Sequence, residues 1–201
     1  MVIATRSGLY LGAGEGAISY LTNNPSAGEN VHVCADSTIY FHTNCNTVTN
    51  ATQTCYISTA GVLYGAAWND YAEFRSVEST EPGRVVIESE DGEMKISTER
   101  LQPGAEIISD TFGFAIGETD KYKTPIAATG RVLAYPNEDR YSYPLGCAVC
   151  SGPNGTVSQM TREEIKEYPE RIIGTVSEIP EYKTWGTGNV EVNGRIWVRV
   201  K

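Results

Sequence analysis

The first third of this chain almost lacks charged side chains. Residues 1–67 contain no lysine, and they hold only one of the 16 basic and three of the 25 acidic residues. The charged residues of this segment are Arg6, Glu15, Glu29 and Asp36. All other charges lie in residues 68–201. Such a break in composition predicts two domains, 1–67 and 68–201, in a chain of 201 residues.

Other absences exclude whole classes of function. The net charge of −9 argues against a nucleic-acid partner, because binding to phosphates needs clustered lysine and arginine. No apolar run approaches the roughly 18 to 20 residues that cross a bilayer, so we expect no membrane partner. The first eight residues have neither the basic start nor the apolar stretch of a signal peptide. We therefore expect synthesis and assembly in a cytoplasm.

The cysteines are odd in number and give little evidence of a metal or redox site. The chain has five: Cys34, Cys45, Cys55, Cys147 and Cys150. In a reducing compartment the expected state is five thiols. Cys147 and Cys150 have half the spacing of a zinc or redox motif, and a metal or redox module is the alternative that this spacing leaves open. We interpret them as small buried residues of a strand, and we expect no metal and no cofactor.

Residues 1–67 have the pattern of short β-strands separated by Gly and Asn turns. The apolar or β-branched runs lie at residues 9–11, 18–21, 31–34, 39–42, 54–57 and 62–64. A segment of this size buries too little surface to be stable by itself. We therefore predict that it shares a core with copies of itself, as in an intertwined trimeric fibre. The alternative is a small monomeric sheet that lies on the second domain.

Residues 68–201 have a mainly β pattern with one helix. A hairpin is predicted from residues 84–89 and 94–97, which flank an Asp91-Gly92 turn. Further strands are predicted at residues 107–108, 112–116, 130–134, 172–176 and 195–200. Thr161 and Glu164 form a capping-box pattern, so a helix is expected over residues 162–168, ending near Pro169.

Two carboxylates lie where the two segments meet. Asp70 and Glu73 are three residues apart, which places them on one face of a helical turn but on opposite faces of a strand. If they converge in a dry site, one stays protonated as a general acid and the other acts as base, as peptide hydrolysis requires. Asn69 adds an amide that can attack its own carbonyl. Spacing alone favours a simpler interpretation, in which Asp70 caps a turn and Glu73 is a surface acid.

Several separated motifs resemble one protein family. They are Trp68-Asn69-Asp70-Tyr71-Ala72-Glu73-Phe74, Pro82-Gly83-Arg84-Val85-Val86, Gly113-Phe114-Ala115-Ile116, Glu170-Arg171-Ile172-Ile173-Gly174-Thr175-Val176-Ser177 with Pro180, and Gly194-Arg195-Ile196-Trp197-Val198-Arg199-Val200. Together they resemble the glutamic-peptidase-type autoproteolytic chaperone domain at the C-terminus of phage tail-spike and preneck-appendage proteins. The resemblance covers residues 68–201.

This resemblance implies an intramolecular chaperone that forms a homotrimer, brings the preceding fibre strands into register and is then cut away. The chain would be the C-terminal region of a phage or prophage tail fibre, a virion protein, with Asp70 and Glu73 as its catalytic carboxylates. The family is cut after a Ser and before an Asp, whereas Asn69 precedes Asp70 here. If the chain is cut, we predict a cut between Ser58 and Asp70, at Asn69–Asp70 by preference, that needs both carboxylates.

A second hypothesis makes the chain a non-enzymatic adhesin. Tyr135, Tyr141 and Tyr143 lie close together in the sequence, with Asn137 and Asp139 between them. Aromatic rings beside polar groups suit the binding of a host-surface glycan by a receptor-binding tip. The simpler interpretation, which we favour, is an ordinary loop held by its two prolines.

Overall fold

The charge-poor segment contributes a small antiparallel sheet. The structure, a computed structural model, describes residues 39–43, 52–61, 63–65, 69–186 and 188–200. Strands β1 (Ile39–Thr43), β2 (Thr52–Ile57) and β3 (Leu63–Gly65) pair in that order. They match three of the six predicted runs in this segment. The runs at 9–11, 18–21 and 31–34, together with Trp68, lie outside the described residues.

The charged segment is built from three further sheets. Its strands are β4 (Asp70–Arg75), β5 (Val85–Glu88), β6 (Met94–Ile96), β7 (Ala105–Ile107), β8 (Phe112–Ile116), β9 (Thr124–Ala134), β10 (Ala148–Ser151), β11 (Val157–Gln159), β12 (Gly174–Glu178), β13 (Thr184–Trp185), β14 (Val190–Glu191) and β15 (Ile196–Val200). Seven of them form one sheet in the order β11-β10-β12-β15-β9-β4-β8, and the others form the sheets β6-β5-β7 and β13-β14. The prediction of a mainly β fold is confirmed.

The one α-helix of the described residues forms where the capping box predicted it. Helix α1 (Arg162–Glu167) begins after Thr161, whose hydroxyl oxygen accepts the backbone N–H of Glu164 at 3.1 Å. The Glu164 carboxylate accepts the Thr161 N–H in return, at 2.7 Å. These two bonds satisfy N–H groups that a helix start leaves unpaired. The helix stops at Tyr168 because Pro169 disfavours helical backbone at the residue before it.

The predicted hairpin is also confirmed. Strands β5 and β6 pair in antiparallel register, with Val86 opposite Ile96. Gly92 adopts a φ of 77° in the connecting turn and donates its N–H to the Ser89 carbonyl at 2.9 Å. That left-handed conformation explains why glycine follows Asp91. Strands β7, β8, β9, β12 and β15 each overlap a run predicted from the sequence.

The seven-stranded sheet is covered on both faces. One face packs on the β6-β5-β7 sheet, and its core includes Val85, Ile107, Val132, Val176 and Val198, all at most 1% exposed. The alternate residues Leu133 and Trp197 point to the other face, where the β13-β14 hairpin covers them. Burial of each large apolar side chain contributes about 1.5–3 kcal/mol, so this two-sided core is the main source of stability.

A buried ion pair fastens the loop before β8 to the turn before β15. Arg195 is 3% exposed, and its two terminal nitrogens donate to the two carboxylate oxygens of Asp110 at 3.0 and 2.8 Å. The same guanidinium donates to the carbonyl oxygens of Val192, at 3.2 Å, and Glu191. This fork satisfies most of the arginine's donors, as a buried charge requires.

We expect Arg195→Met to lower the free energy of unfolding by about 3 kcal/mol or more, because Asp110 loses its partner and two backbone carbonyls lose a donor. Arg75→Met is the matched control. It removes the more exposed pair with Glu88 and should cost less than about 1 kcal/mol. Chemical denaturation of both variants measures the difference. Equal losses of unfolding free energy would show that the Arg195–Asp110 pair stabilises the fold no more than the exposed pair does.

Candidate functional site

The candidate site lies at the residue where the charged segment enters the large sheet. Asp70 is the first residue of β4 and is only 5% exposed. Its strand runs between β8, which is parallel to it, and β9, which is antiparallel. In this register Asp70 is opposite Phe112 on one side and Gly130 on the other. A carboxyl group thus enters the protein interior immediately after the junction between the segments.

Two hydroxyl residues from the loop before β8 surround this carboxyl group. The Thr111 hydroxyl donates to Asp70 Oδ1 at 2.8 Å, and the Thr111 backbone N–H donates to Ser109 Oγ at 3.0 Å. Ser109 and Thr111 are each 2% exposed. Asp70 Oδ2 is buried without a hydrogen-bond partner among the described residues. The carboxyl group is therefore only half satisfied.

Burial raises the pKa of Asp70 from 3.8 to about 6. The nearby Ser109 hydroxyl and the hydrogen bond from Thr111 oppose this rise, and the nearby charge of Asp110 adds to it. A carboxyl group with a pKa near neutrality can donate or accept a proton at physiological pH. Such perturbed groups are enriched at functional sites, although ion-pair networks also produce them.

The peptide bond that precedes Asp70 is closely packed. Gly130 has a φ of 109°, and a Cβ there would lie 2.6 Å from Asp70 Cα and would clash with the Asn69 carbonyl. Only glycine therefore fits opposite this peptide. The Arg131 N–H donates to the Asn69 carbonyl oxygen at 2.8 Å. The Asn69 side-chain nitrogen is buried and has no partner among the described residues.

The structure does not bring Asp70 and Glu73 together within one chain. Both belong to strand β4, where residues three apart point to opposite faces. Asp70 is buried, whereas Glu73 is exposed. The helical turn that would have placed both carboxylates on one face is absent from this part of the described chain. An acid–base pair formed by these two residues is therefore not present in the monomer.

Aromatic rings line a cavity beside the junction. The cavity measures about 280 Å³ and is lined by Asn69, Asp70, Tyr71, Phe114, Thr129 and Gly130. The rings of Tyr71 and Phe114 stack there with their centroids 5.6 Å apart. The site thus combines a closely packed peptide, a half-satisfied carboxyl group and an apolar rim.

The three tyrosines proposed for glycan stacking do not form one surface. Tyr143 is 2% exposed, belongs to the main core and donates its hydroxyl to the Val157 carbonyl at 2.8 Å. The ring of Tyr135 lies against the guanidinium carbon of Arg84, at 4.6 Å. Only Tyr141 is largely exposed, at 62%. This arrangement agrees with the simpler interpretation of an ordinary loop.

The described residues hold no evidence of a metal centre. No group of three or more His, Cys, Asp or Glu side chains converges in the part of the chain that was described. Cys150 is fully buried in β10, and Cys147 is half-buried just before it. Burial raises the pKa of both thiols. Within the same residues, no helix has the length and apolar character of a membrane span.

Comparisons with known proteins add no identification: no family model, no curated protein and no solved structure matches this chain. The resemblance to phage chaperone domains therefore stays a prediction from the sequence motifs. The residues around Asp70 that the sequence interpretation missed are Ser109, Thr111, Gly130 and Arg131. One signal was available for the first of them, since Ser109-Asp110 is the only Ser-Asp step in the chain.

We predict that Asp70→Asn stabilises the protein at pH 7. The folded state keeps a proton on Asp70 between about pH 4 and 6, where the unfolded state has released it, so stability falls as pH rises through that range. Moving the pKa from 3.8 to about 6 costs roughly 3 kcal/mol at neutral pH. We expect Asn to recover roughly 2 kcal/mol of this, because its amide N–H remains unpaired.

Denaturation from pH 4 to 7 measures this effect. Asp120→Asn removes the same charge from an exposed loop and controls for the change in net charge. An Asp70→Asn variant that is less stable than the wild type at pH 7 would contradict the prediction.

Proposed function

We propose that the chain is a phage or prophage tail-fibre region in which residues 68–201 direct the trimerisation and folding of the β-rich segment before them. In this proposal the charged domain acts as an intramolecular chaperone and is part of the virion, assembled in the cytoplasm of the bacterial host. Self-cleavage at the junction is the second element of the proposal. The observation that supports self-cleavage is the half-satisfied carboxyl group of Asp70, which is buried where the two segments join.

The short connection between the two segments supports a role of the charged domain in assembly. Strand β3 ends at Gly65 and β4 begins at Asp70, so only residues 66–69 connect the small sheet to the large one. The charge-poor segment is too small to stabilise itself, while the charged domain has a two-sided core. A stable domain attached by a short connection raises the effective concentration of the segments that it brings together.

The environment of Asn69 supports self-cleavage by its own side chain. Asn69 Nδ2 attacks the Asn69 carbonyl carbon, and the bond from that carbon to the Asp70 nitrogen breaks. A proton moves from Nδ2 to the departing Asp70 amine, and Asn69 is left as a C-terminal succinimide. The Arg131 N–H, 2.8 Å from the carbonyl oxygen, stabilises the negative charge that develops there. The Asp70 carboxyl group, with a pKa of about 6, is suited to relay the proton.

Glu73 has a different role in this proposal. Because Glu73 is exposed on the opposite face of β4, it cannot pair with Asp70 of its own chain. A contribution from Glu73 must therefore reach a neighbouring copy, and cleavage would follow assembly. Assembly would also exclude water from the junction, which strengthens electrostatic effects there.

The proposed assembly role predicts the oligomeric state of the chain. The full chain should be a trimer at micromolar concentration, with a mass about three times 21.9 kDa by light scattering. Residues 1–67 expressed alone should be insoluble or misassembled, because pairing strands from separate chains must overcome association entropy before any contact forms. A monomeric full chain would refute the proposal, as would soluble trimers of residues 1–67 alone.

The proposed self-cleavage predicts the fragments that incubation yields. Incubated trimer should yield two fragments, split at Asn69–Asp70, whose masses sum to 21.9 kDa. The first fragment should be lighter by one water than the acid that hydrolysis leaves. Asn69→Ala, Asp70→Asn and Glu73→Ala should each keep the chain intact, and Glu78→Ala, at another surface acid, is the control. Intact mass spectrometry follows the reaction. A trimer that stays at full length would contradict self-cleavage and would be consistent with an assembly role alone.

A further inference from the structure

The chain contains two Asn-Gly steps, Asn154-Gly155 and Asn193-Gly194, and the structure places them in opposite surroundings. In such a step the glycine amide nitrogen can attack the side-chain carbonyl carbon of the asparagine, because glycine has no Cβ to block the approach. The reaction needs a glycine nitrogen that is free of other partners, and it needs room for the ring that forms. These two requirements distinguish the two steps.

The Asn193-Gly194 turn meets both requirements. The Arg195 N–H donates to the Val192 carbonyl at 2.9 Å, and the two residues between them adopt φ values of 48° and 77°. Left-handed backbone at both central positions is typical of the tight turns that Asn-Gly favours. Both residues are exposed, and the Gly194 N–H donates to no atom of the described residues. Apart from its chain neighbours, a Cβ built on Gly194 would meet no heavy atom within 4 Å, so the turn has open space beside it.

The Asn154-Gly155 turn meets neither requirement. Its two φ values, 56° and 69°, are also left-handed, so backbone conformation does not separate it from the other turn. Gly155 is buried, and its N–H donates to the Ser97 carbonyl at 2.8 Å. A Cβ there would lie 3.1 Å from side-chain carbons of Arg84 and Ile96. Attack by this nitrogen therefore needs a local opening that first breaks the bond to Ser97.

We propose that Asn193 is a site of spontaneous covalent modification, from which the fold protects Asn154. The Gly194 nitrogen forms a bond to Asn193 Cγ, the bond from Cγ to Nδ2 breaks, and Nδ2 leaves as ammonia with the proton of the Gly194 nitrogen. The succinimide that results takes up water at one of its two carbonyl carbons. The product is aspartate or isoaspartate, and either one adds a negative charge. This inference does not depend on the proposed function.

The modification would weaken the contacts that hold Arg195. Asn193 Nδ2 donates to Glu191 Oε2 at 3.0 Å, and a carboxylate in place of the amide would repel Glu191 instead. The isoaspartate product also lengthens the backbone of the turn by one carbon atom. Arg195 follows this turn directly, and its buried guanidinium binds the Asp110 carboxylate and two backbone carbonyls. A longer turn displaces that guanidinium, so we expect the modified protein to be less stable.

The experiment incubates the full chain at mildly alkaline pH and follows the peptides that contain Asn154 and Asn193 by mass spectrometry. Each modified peptide gains the mass difference between an NH₂ and an OH group. In the folded protein we expect the Asn193 peptide to react faster by roughly tenfold or more, because only Asn154 needs a local opening. In denaturant both peptides should react at similar rates. Similar rates in the folded protein would overturn the inference.

Asn193→Gly is the matched control. Glycine has no side-chain carbonyl to attack and accepts the left-handed backbone of the turn. During the incubation the midpoint of chemical denaturation should fall for the wild type and stay constant for Asn193→Gly. Equal falls in the two proteins, or a constant midpoint in wild type that has been modified at Asn193, would overturn the link to Arg195.

Discussion

The buried pair of Arg195 and Asp110 is the contact on which the junction depends. The guanidinium is removed from water, so it must be paired, and it binds a carboxylate and two backbone carbonyls at once. Asp110 lies between Ser109 and Thr111, and the ion pair therefore restrains the loop that presents both hydroxyl groups to Asp70. The environment of a residue at the start of β4 is thus set by an arginine close to the last strand.

The junction is held from both sides by strands that come later in the chain. Strand β4 carries the buried carboxyl group and lies next to β8, and the loop that leads into β8 supplies the Thr111 hydroxyl that bonds this group. On the other side, β9 supplies Gly130 and the Arg131 N–H, which pack against the Asn69–Asp70 peptide. A displacement of either neighbouring strand therefore reaches the junction directly.

The sequence predicted an element correctly where hydrogen bonds between neighbouring residues decide whether that element forms. The capping box of Thr161 and Glu164 predicted α1, and the Asp91-Gly92 turn predicted the β5-β6 hairpin, because both depend on hydrogen bonds within a few residues. The spacing of Asp70 and Glu73 could not be interpreted in the same way. Their relation depends on whether β4 pairs with strands 40 to 60 residues later in the chain, and spacing carries no information on such pairing.

The sequence by itself determined the mainly β fold and the short helix, because periodicity, turn residues and capping residues are properties of local stretches. Only the tertiary structure decided that Asp70 is buried and Glu73 exposed, and that Thr111 and Gly130 surround the junction. It also decided that β11, at one edge of the large sheet, bonds the backbone of Tyr135 and Asn137. These features arise from contacts between residues far apart in the chain. Burial, desolvation and edge pairing exist only once the strands have come together.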